Sequence, residues 1–196
     1  MILPIIAYGD PVLRKKAIDV SSDYPNFKEL IETMYETMYN AYGVGLAAPQ
    51  IGLSIRLFIV DASPFAEDES LSVEEQNQLK EFKCTFINAK ILDETGDEWV
   101  FNEGCLSIPN IREDVIRKPK IKIQYQDDNF KIHSKEFDGL LARVIQHEYD
   151  HIEGVLFTDK ISNFKKRLIK GKLVNISKGK INIDYKMRFP DAKKKR

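Results

Sequence analysis

The chain has 196 residues and carries 30 basic and 30 acidic side chains, so its formal net charge at neutral pH is zero. This balance excludes the strongly charged surface that would attract nucleic acid or anionic lipid over the whole protein. Two cysteines are too few for a fold held together by disulfides. The apolar residues 1–6 lack a basic leader and are interpreted as structure, not as a signal peptide. We therefore expect a single cytoplasmic domain over residues 1–196, with no membrane partner and no sequence-specific nucleic acid.

The first periodic segment of the chain predicts a helix. From Asn26 to Ala41, apolar residues recur at three- and four-residue spacing with glutamates between them. Asn26 is placed to cap this helix and Gly43 to stop it. The short, β-branched run from Ile55 to Val60 is typical of a buried strand.

A polar stretch over residues 63–83 interrupts the apolar pattern and is interpreted as a surface insertion. Within it, Ser72-Val73-Glu74-Glu75 has the pattern of a capping box, in which the Ser and Glu side chains satisfy free amides at a helix start. The insertion is therefore expected to hold a short helix that ends near Phe82.

Strands and one further helix are predicted in the next part of the chain. The strand-like segments are Thr85–Leu92, Glu98–Phe101, Ile121–Gln126 and Lys131–Phe137. Asp127-Asp128-Asn129 separates the last two and predicts a hairpin. The period becomes helical from Asp138 to Glu153, and Gly154 is placed to end that helix. Strands around one central helix predict an α+β fold, with antiparallel or mixed sheets packed on that helix.

The last part of the chain is basic. A lysine-rich stretch around residues 165–172 precedes an alternating segment, Lys180 to Tyr185, that predicts a final strand. Residues 190–196 end in Lys193-Lys194-Lys195-Arg196 and predict a solvated, disordered tail.

The run His147-Glu148-Tyr149-Asp150-His151 lies on the central predicted helix. Its two histidines are four residues apart, so both imidazoles leave the same face of the helix and can reach one divalent ion. Glu148 is placed to face a water molecule there and to move protons. A chance pairing is the alternative, but two of the three histidines in the chain occupy this pattern. The third, His133, stands alone on a hairpin strand and is assigned no function.

Two histidines leave this metal site one ligand short, since catalytic sites usually have three protein ligands and an open position. Glu153 follows His151 too closely to serve, and no histidine lies further along the chain. Cys105 is the candidate, because a thiolate binds divalent ions strongly and the glycine before it allows close backbone approach. Pro109 is expected to end this extended segment. Packing is the alternative for a lone cysteine, and Cys84, in a strand-like run, is interpreted that way.

A run of small residues, Gly43 to Gly52, lies between the first helix and the first strand. Such a run allows a substrate backbone to pass close to the main chain and pair with it. Gln50 supplies an amide donor that can face a developing oxyanion. A tight connection without function is the alternative. The run lacks the Lys-Ser/Thr of a phosphate-binding loop.

Three motifs occur in order: GVGLAAPQIG at residues 43–52, EGCLSIP at 103–109 and QHEYDH at 146–151. Together they resemble the signature motifs of the peptide deformylase family, and the resemblance spans roughly residues 5–157. It implies hydrolysis of the N-terminal formyl group of formyl-methionyl nascent polypeptides, with release of formate after attack by water activated on one divalent ion. Members that resemble this chain often use Fe²⁺, which Zn²⁺, Ni²⁺ or Co²⁺ can replace. The ligand types suit all four ions.

The resemblance also implies roles for individual residues. The implied metal ligands are Cys105, His147 and His151, and Glu148 is implied as the general acid–base. Gln50 and the backbone N–H of Leu106 are implied to stabilise the oxyanion. The residues implied at the substrate site are Gly45, which pairs with the substrate backbone, Arg112 near the entrance, and Val44, Glu103, Leu140 and Val144 around the methionine pocket.

Two rival interpretations start from the same motifs. The His-Glu-x-x-His core alone is compatible with a zincin-type endopeptidase. A non-catalytic relative that binds metal or nascent chains is the second rival, and it is disfavoured because Glu148 and Gln50 are both present.

The implied partners are formyl-Met nascent peptides and, near the peptide exit, the ribosome. Members that resemble the enterobacterial enzyme end in a helix that contacts the ribosome, whereas a strand is predicted here after Gly179. The charge of residues 193–196 motivates the hypothesis that they contact ribosomal RNA instead. A merely solvated tail is the favoured alternative.

Overall fold

The computed structural model describes residues 1–192 and has the α+β architecture that the sequence predicts. The helices are α1 Phe27–Asn40, α2 Val73–Glu81, α3 Gly139–Ile152 and α4 Asn163–Ser177. The strands are β1 Ile5–Ile6, β2 Gly45–Ala47, β3 Leu57–Asp61, β4 Lys83–Thr95, β5 Trp99–Cys105, β6 Ile108–Arg117, β7 Lys120–Gln126, β8 Ile132–Asp138 and β9 Met187–Arg188.

The main sheet has five antiparallel strands in the order β2-β3-β4-β7-β8. Side chains alternate between the two faces of β3, as they do in any strand. Leu57 and Ile59 pack in the same cluster as α1, whereas Phe58 packs with Ala142 and Ile145 of α3. The sheet is therefore covered on both faces, and α3 lies at the centre of the molecule.

Most elements of the first 140 residues are confirmed. α1 covers the predicted segment, although Asn26 has a left-handed backbone (φ 54°) and its side chain makes no capping bond. The insertion holds α2, and its capping box forms through a Ser72 amide that donates to Glu75 Oε2 at 3.0 Å. The predicted hairpin is β7–β8.

The hairpin of β5 and β6 corrects one expectation. Pro109 does not end the extended segment, because β6 continues from Ile108 to Arg117. The register pairs Gly104 with Arg112 but Cys105 with Ile108, so Pro109 lies in a bulge. A proline has no amide to donate, and a bulge is one of the few strand positions that need none.

The segment after α3 differs from the strand that the sequence predicts there. The chain forms helix α4, which the sequence analysis did not predict, and residues 180–185 form no strand. The Ser162 side chain caps α4 by accepting from the Lys165 amide at 3.2 Å, and Ile169, Leu173 and Ile176 are its buried face. β9 instead pairs in parallel with β1. The predicted tail at residues 193–196 lies outside the described residues.

Gly154 ends α3, as predicted from the sequence. It has φ +75°, and a β-carbon there would lie 2.7 Å from the Arg14 carbonyl oxygen. Both the backbone conformation and the close approach therefore require glycine. Among residues 1–192, no helix combines the length and apolar character needed to cross a bilayer.

Candidate metal centre and substrate cavity

The three predicted metal ligands come together although two lie on α3 and one on β5. Ligand atoms of Cys105, His147 and His151 all lie within 4.8 Å of one another. The two imidazole centroids are 5.2 Å apart, one helical turn from each other. Cys105 Sγ lies 3.3 Å from His151 Nε2.

Cys105 reaches the histidines because β5 ends beside α3. The register of the β5–β6 hairpin shifts directly after Gly104, so Cys105 pairs with Ile108 beside the bulge in β6. A β-carbon on Gly104 would lie 2.9 Å from the Arg112 guanidinium. Gly104 therefore leaves space for the Arg112 side chain directly before Cys105.

Glu103 fixes the orientation of His147. Its Oε2 lies 2.9 Å from His147 Nδ1, so the other ring nitrogen is left to face the cysteine. The same carboxylate accepts from Arg117 Nε at 2.7 Å and from Arg143 at 3.0 Å. Burial alone would raise the pKa of Glu103, but the hydrogen bonds from Arg117 and His147 hold that pKa well below its usual value.

Arg117 links this network back to the helix, because it also donates to Asp150 at 2.7 Å. Asp150 lies directly before His151 in the chain. Arg143 is buried, and its guanidinium lies 4.5 Å from the centroid of the Trp99 ring. The sequence analysis missed both arginines. The sequence offered one signal for this network. Arg143 lies among apolar residues of α3, and a buried charge needs a partner of opposite charge.

The donor set fits a divalent metal ion. Two imidazoles and a thiolate suit Fe²⁺, Zn²⁺, Ni²⁺ and Co²⁺ alike. Burial lowers the pKa of His151, and the nearby His147 adds to this, so the neutral imidazole that binds metals is favoured. Burial would also lower the pKa of His147, but its contacts with Cys105 and Glu103 raise it instead.

Glu148 faces the same space. It is 4% exposed, and its Oε2 has no hydrogen-bond partner among the described residues. Burial raises its pKa to about 7. A buried carboxyl group that titrates near neutral pH and keeps one oxygen unpaired can take up or release a proton there.

Gln50 approaches from the opposite side, on the short 3₁₀ helix Ala48–Ile51. Its Oε1 accepts from the Ala47 amide at 2.8 Å, which fixes the direction of the side-chain amide. Its Nε2 then points to Cys105 Sγ at 3.6 Å and donates to Ser107 Oγ at 3.3 Å. The donor face of Gln50 is therefore directed at the cysteine.

A cavity of about 540 Å³ opens beside these groups. It is lined by the predicted Val44, Gly45, Gln50, Glu103, Cys105, Leu106, Arg112, Val144, His147 and Glu148. Leu140 does not line it, because Arg143 and Val144, a turn closer to His147, form that wall. Lining residues that the sequence analysis missed include Phe65, Phe101, Asn110, Arg143, Ile183 and Tyr185. A second cavity of about 740 Å³ beside α2 is lined by neither histidine nor cysteine.

The remaining cysteine and histidine lie elsewhere. Cys84 packs in the apolar cluster under α3, and burial raises the pKa of its thiol. His133 stacks on Tyr125 with ring centroids 5.4 Å apart, and its Nε2 lies 2.6 Å from Asp127. Neither residue lines the cavity.

Comparison with known proteins gives one consistent result. Residues 2–167 match the family model described as polypeptide deformylase. The peptide deformylases of Christiangramia forsetii and Flavobacterium johnsoniae are each 65% identical over 196 residues, which cover 100% of this chain and 100% of theirs. The crystal structure of a peptide deformylase from Legionella pneumophila is similar with a TM-score of 0.77 and 35% identity, over 92% of this chain and 98% of that one.

Proposed function

The chain belongs to the polypeptide deformylase family of metallohydrolases, and we propose that it removes the formyl group from nascent polypeptides that begin with formyl-methionine. The observation that carries this proposal is the Cys105–His147–His151 cluster with Glu148 on the same cavity. Formyl transfer to water breaks the amide C–N bond and releases formate and a free N-terminus.

Cys105, His147 and His151 would hold the metal ion in this proposal. When bound, a divalent ion supplies a Lewis acid that acidifies water and polarises the formyl oxygen. We propose Fe²⁺ as the ion in the cell, with Zn²⁺, Ni²⁺ or Co²⁺ as replacements, because a set of one thiolate and two imidazoles accepts all of them. Glu103 supports the site by keeping the His147 ring in place.

Glu148 moves the proton. It takes one from the attacking water as general base and delivers it to the departing amine as general acid. Its pKa of about 7 suits both roles at neutral pH. Burial in the cavity wall is what raises this pKa.

Gln50 and the backbone N–H of Leu106 stabilise the negative charge that develops on the formyl oxygen. The contact between Gln50 Oε1 and the Ala47 amide commits the Nε2 group to the donor role. Donors held in place before the reaction cost no reorganisation when the charge appears.

The substrate backbone pairs with β2 through Gly45. β2 is the end strand of the five-stranded order, so its outer edge is available for strand addition. Val44 and Val144 form the apolar wall for the methionine side chain, and Arg112 lies near the entrance. The Glu103 carboxylate is committed to His147 and two arginines, which supports a positioning role more than contact with methionine.

The ribosome is a proposed partner, in the cytoplasm where nascent chains are made. Helix α4 is the element that we propose for this contact. α4 exposes Phe164 and Leu168 next to Lys165, Lys166, Arg167 and Lys170. A helix with this mixture suits a surface that is part RNA and part protein.

Residues 1–196 are proposed to act as one domain, with residues 63–83 as a surface insertion.

The direct test is hydrolysis of formyl-Met-Ala-Ser by anaerobically purified protein, with metal analysis of the same sample. We expect formate release with about one divalent ion per chain. Cleavage of an internal peptide bond in an unformylated peptide would indicate the endopeptidase instead. Metal binding without either reaction would indicate a non-catalytic relative.

A further inference from the structure

After α4 the chain turns back past the substrate cavity as residues 180–189, which we call the return segment. Ile183 and Tyr185 of this segment line the cavity together with Leu106 and Asn110. The match to the family model ends at residue 167, so the return segment lies outside it.

An alternating pattern directs these two side chains inward. Side chains at positions 181, 183, 185, 187 and 189 are half-buried, whereas those at 182, 184, 186, 188 and 190 are exposed. Ile181 packs in a different place, in the cluster that contains Ile108, Ile111 and Leu156. Two isoleucines in one segment therefore have different surroundings, and only Ile183 lines the cavity.

Hydrogen bonds attach the return segment to the β5–β6 hairpin and to β1. Tyr185 Oη donates to the Leu106 carbonyl at 2.7 Å, and Asn110 Nδ2 donates to the Asn182 carbonyl at 3.2 Å. The Lys186 carbonyl accepts from the Ile5 amide at 2.9 Å, where β9 begins to pair with β1. These bonds hold the segment as a fixed wall.

The cavity walls include residues of three apolar clusters, and Val144 and Tyr185 belong to two different ones. Val44 and Val144, the proposed methionine pocket, pack in the cluster between the main sheet and α3. Leu106 and Tyr185 pack against a second cluster, which contains α1. A substrate whose methionine contacts the first wall therefore has its following residue available to the second.

We propose that Ile183 and Tyr185 are specificity-determining contacts for the residue that follows the N-terminal methionine, and that they favour an apolar side chain there. This inference rests on the proposed function and deepens it. An isoleucine side chain and a tyrosine ring whose hydroxyl is already bonded to Leu106 offer apolar surface and no free charge.

The test compares deformylation of formyl-Met-Leu-Ser and formyl-Met-Asp-Ser. We expect Ile183→Ala to lower the ratio of the two kcat/KM values by about 5- to 10-fold, since it removes apolar contact with leucine. Ile181→Ala is the matched control, because it makes the same truncation in the same segment at a side chain that does not line the cavity, and its ratio should equal that of the wild type. An unchanged ratio in Ile183→Ala would overturn the proposal.

A second variant distinguishes a loss of contact from misfolding, and a second measurement tests the contact without requiring activity. Ile183→Lys should raise the relative kcat/KM for the aspartate peptide several-fold, a gain that misfolding cannot produce.

In methyl NMR, titration with the product peptide Met-Leu-Ser should shift the resonance of the δ1 methyl of Ile183 and leave that of Ile181 unchanged. This measurement needs no hydrolysis, so it decides the contact even if the wild type releases no formate and the proposed function fails. A stationary Ile183 methyl contradicts the proposal.

Discussion

Gly45 lies so close to Glu148 that a β-carbon on it would be 2.5 Å from the carboxylate Oε1 and 2.7 Å from Cγ. Real contacts are not this short, so the small residue of β2 creates the space in which the Glu148 carboxylate sits. The sequence motif assigned Gly45 to the substrate backbone. The geometry adds that it sets the position of the proposed acid–base.

Gly45→Ala should therefore displace Glu148 and lower kcat by about 100-fold, the usual loss for a catalytic group moved by about 1 Å. Metal content, measured by mass spectrometry, should stay at the wild-type level because no ligand is touched. Gly171→Ala is the control. A β-carbon on Gly171 meets no atom of the described part of the chain within 4 Å. In helix α4 this change should therefore leave kcat intact and stabilise the fold by about 0.5–1 kcal/mol.

Gln50→Ala should fold and retain its metal but lose about 10²–10³ in kcat, the typical loss of one oxyanion donor. Steady-state kinetics on formyl-Met peptides measures this directly. A near-normal kcat would refute the oxyanion role of Gln50. Ser107→Ala removes only the neighbouring hydroxyl that Gln50 contacts at 3.3 Å, and we expect a much smaller effect from it.

Glu103→Gln should weaken the metal centre without removing a ligand. The change leaves Arg117 and Arg143 buried with no negative partner at this position, for which we expect a loss of about 3–5 kcal/mol in unfolding free energy. It also replaces the charged acceptor of the His147 ring by a neutral amide, so metal affinity should fall about 10- to 100-fold in a competition assay with a chelator. Glu113→Gln is the control, since Glu113 pairs with Glu103 across the hairpin but bonds Lys165 near the surface. Equal losses in the two variants would show that the Glu103 network has no special role.

Asp159 gives a prediction for acid stability. Burial would raise its pKa, but the hydrogen bonds from Arg14 and from the Leu156 amide lower it. A carboxyl group with a depressed pKa in the folded state contributes stability above its unfolded pKa of about 4 and loses it as the pH falls through the folded value. Asp159→Asn should therefore be less stable than the wild type at pH 7, and the difference should shrink as the pH falls through the lowered pKa of Asp159 in the folded state. Denaturant unfolding across this pH range is the measurement, and a difference that persists at low pH contradicts the assignment.

The sequence predicted the site better than the region after it. The pairing of His147 and His151 can be predicted because residues four apart lie on the same face of a helix. The apolar periodicity of α3 predicts that helix. Cys105 and Gln50 came from motif order, since nothing local tells a strand-end cysteine from a packing one. The network of Glu103, Arg117 and Arg143 was missed because it joins two strands and a helix that are distant in the chain.

The errors in secondary structure have local causes. α4 has Gly171 in its middle and many lysines, which conceal the periodic Ile169, Leu173 and Ile176. Residues 180–185 alternate in burial as a strand would, but within residues 1–192 no neighbouring strand supplies the hydrogen bonds. An alternating pattern reports which side chains face inward, and strand formation also needs a partner.

The parallel pairing of β1 with β9 has a consequence for how the protein is made. Ile5 precedes its partner Met187 by 182 residues in the chain, so it is synthesised much earlier. During synthesis β1 is made before its partner β9. Until residues 183–185 follow, the cavity lacks the wall that contains Ile183 and Tyr185. In a chain still being synthesised, Cys105 and α3 can therefore come together before the wall that contains Ile183 and Tyr185 has been made.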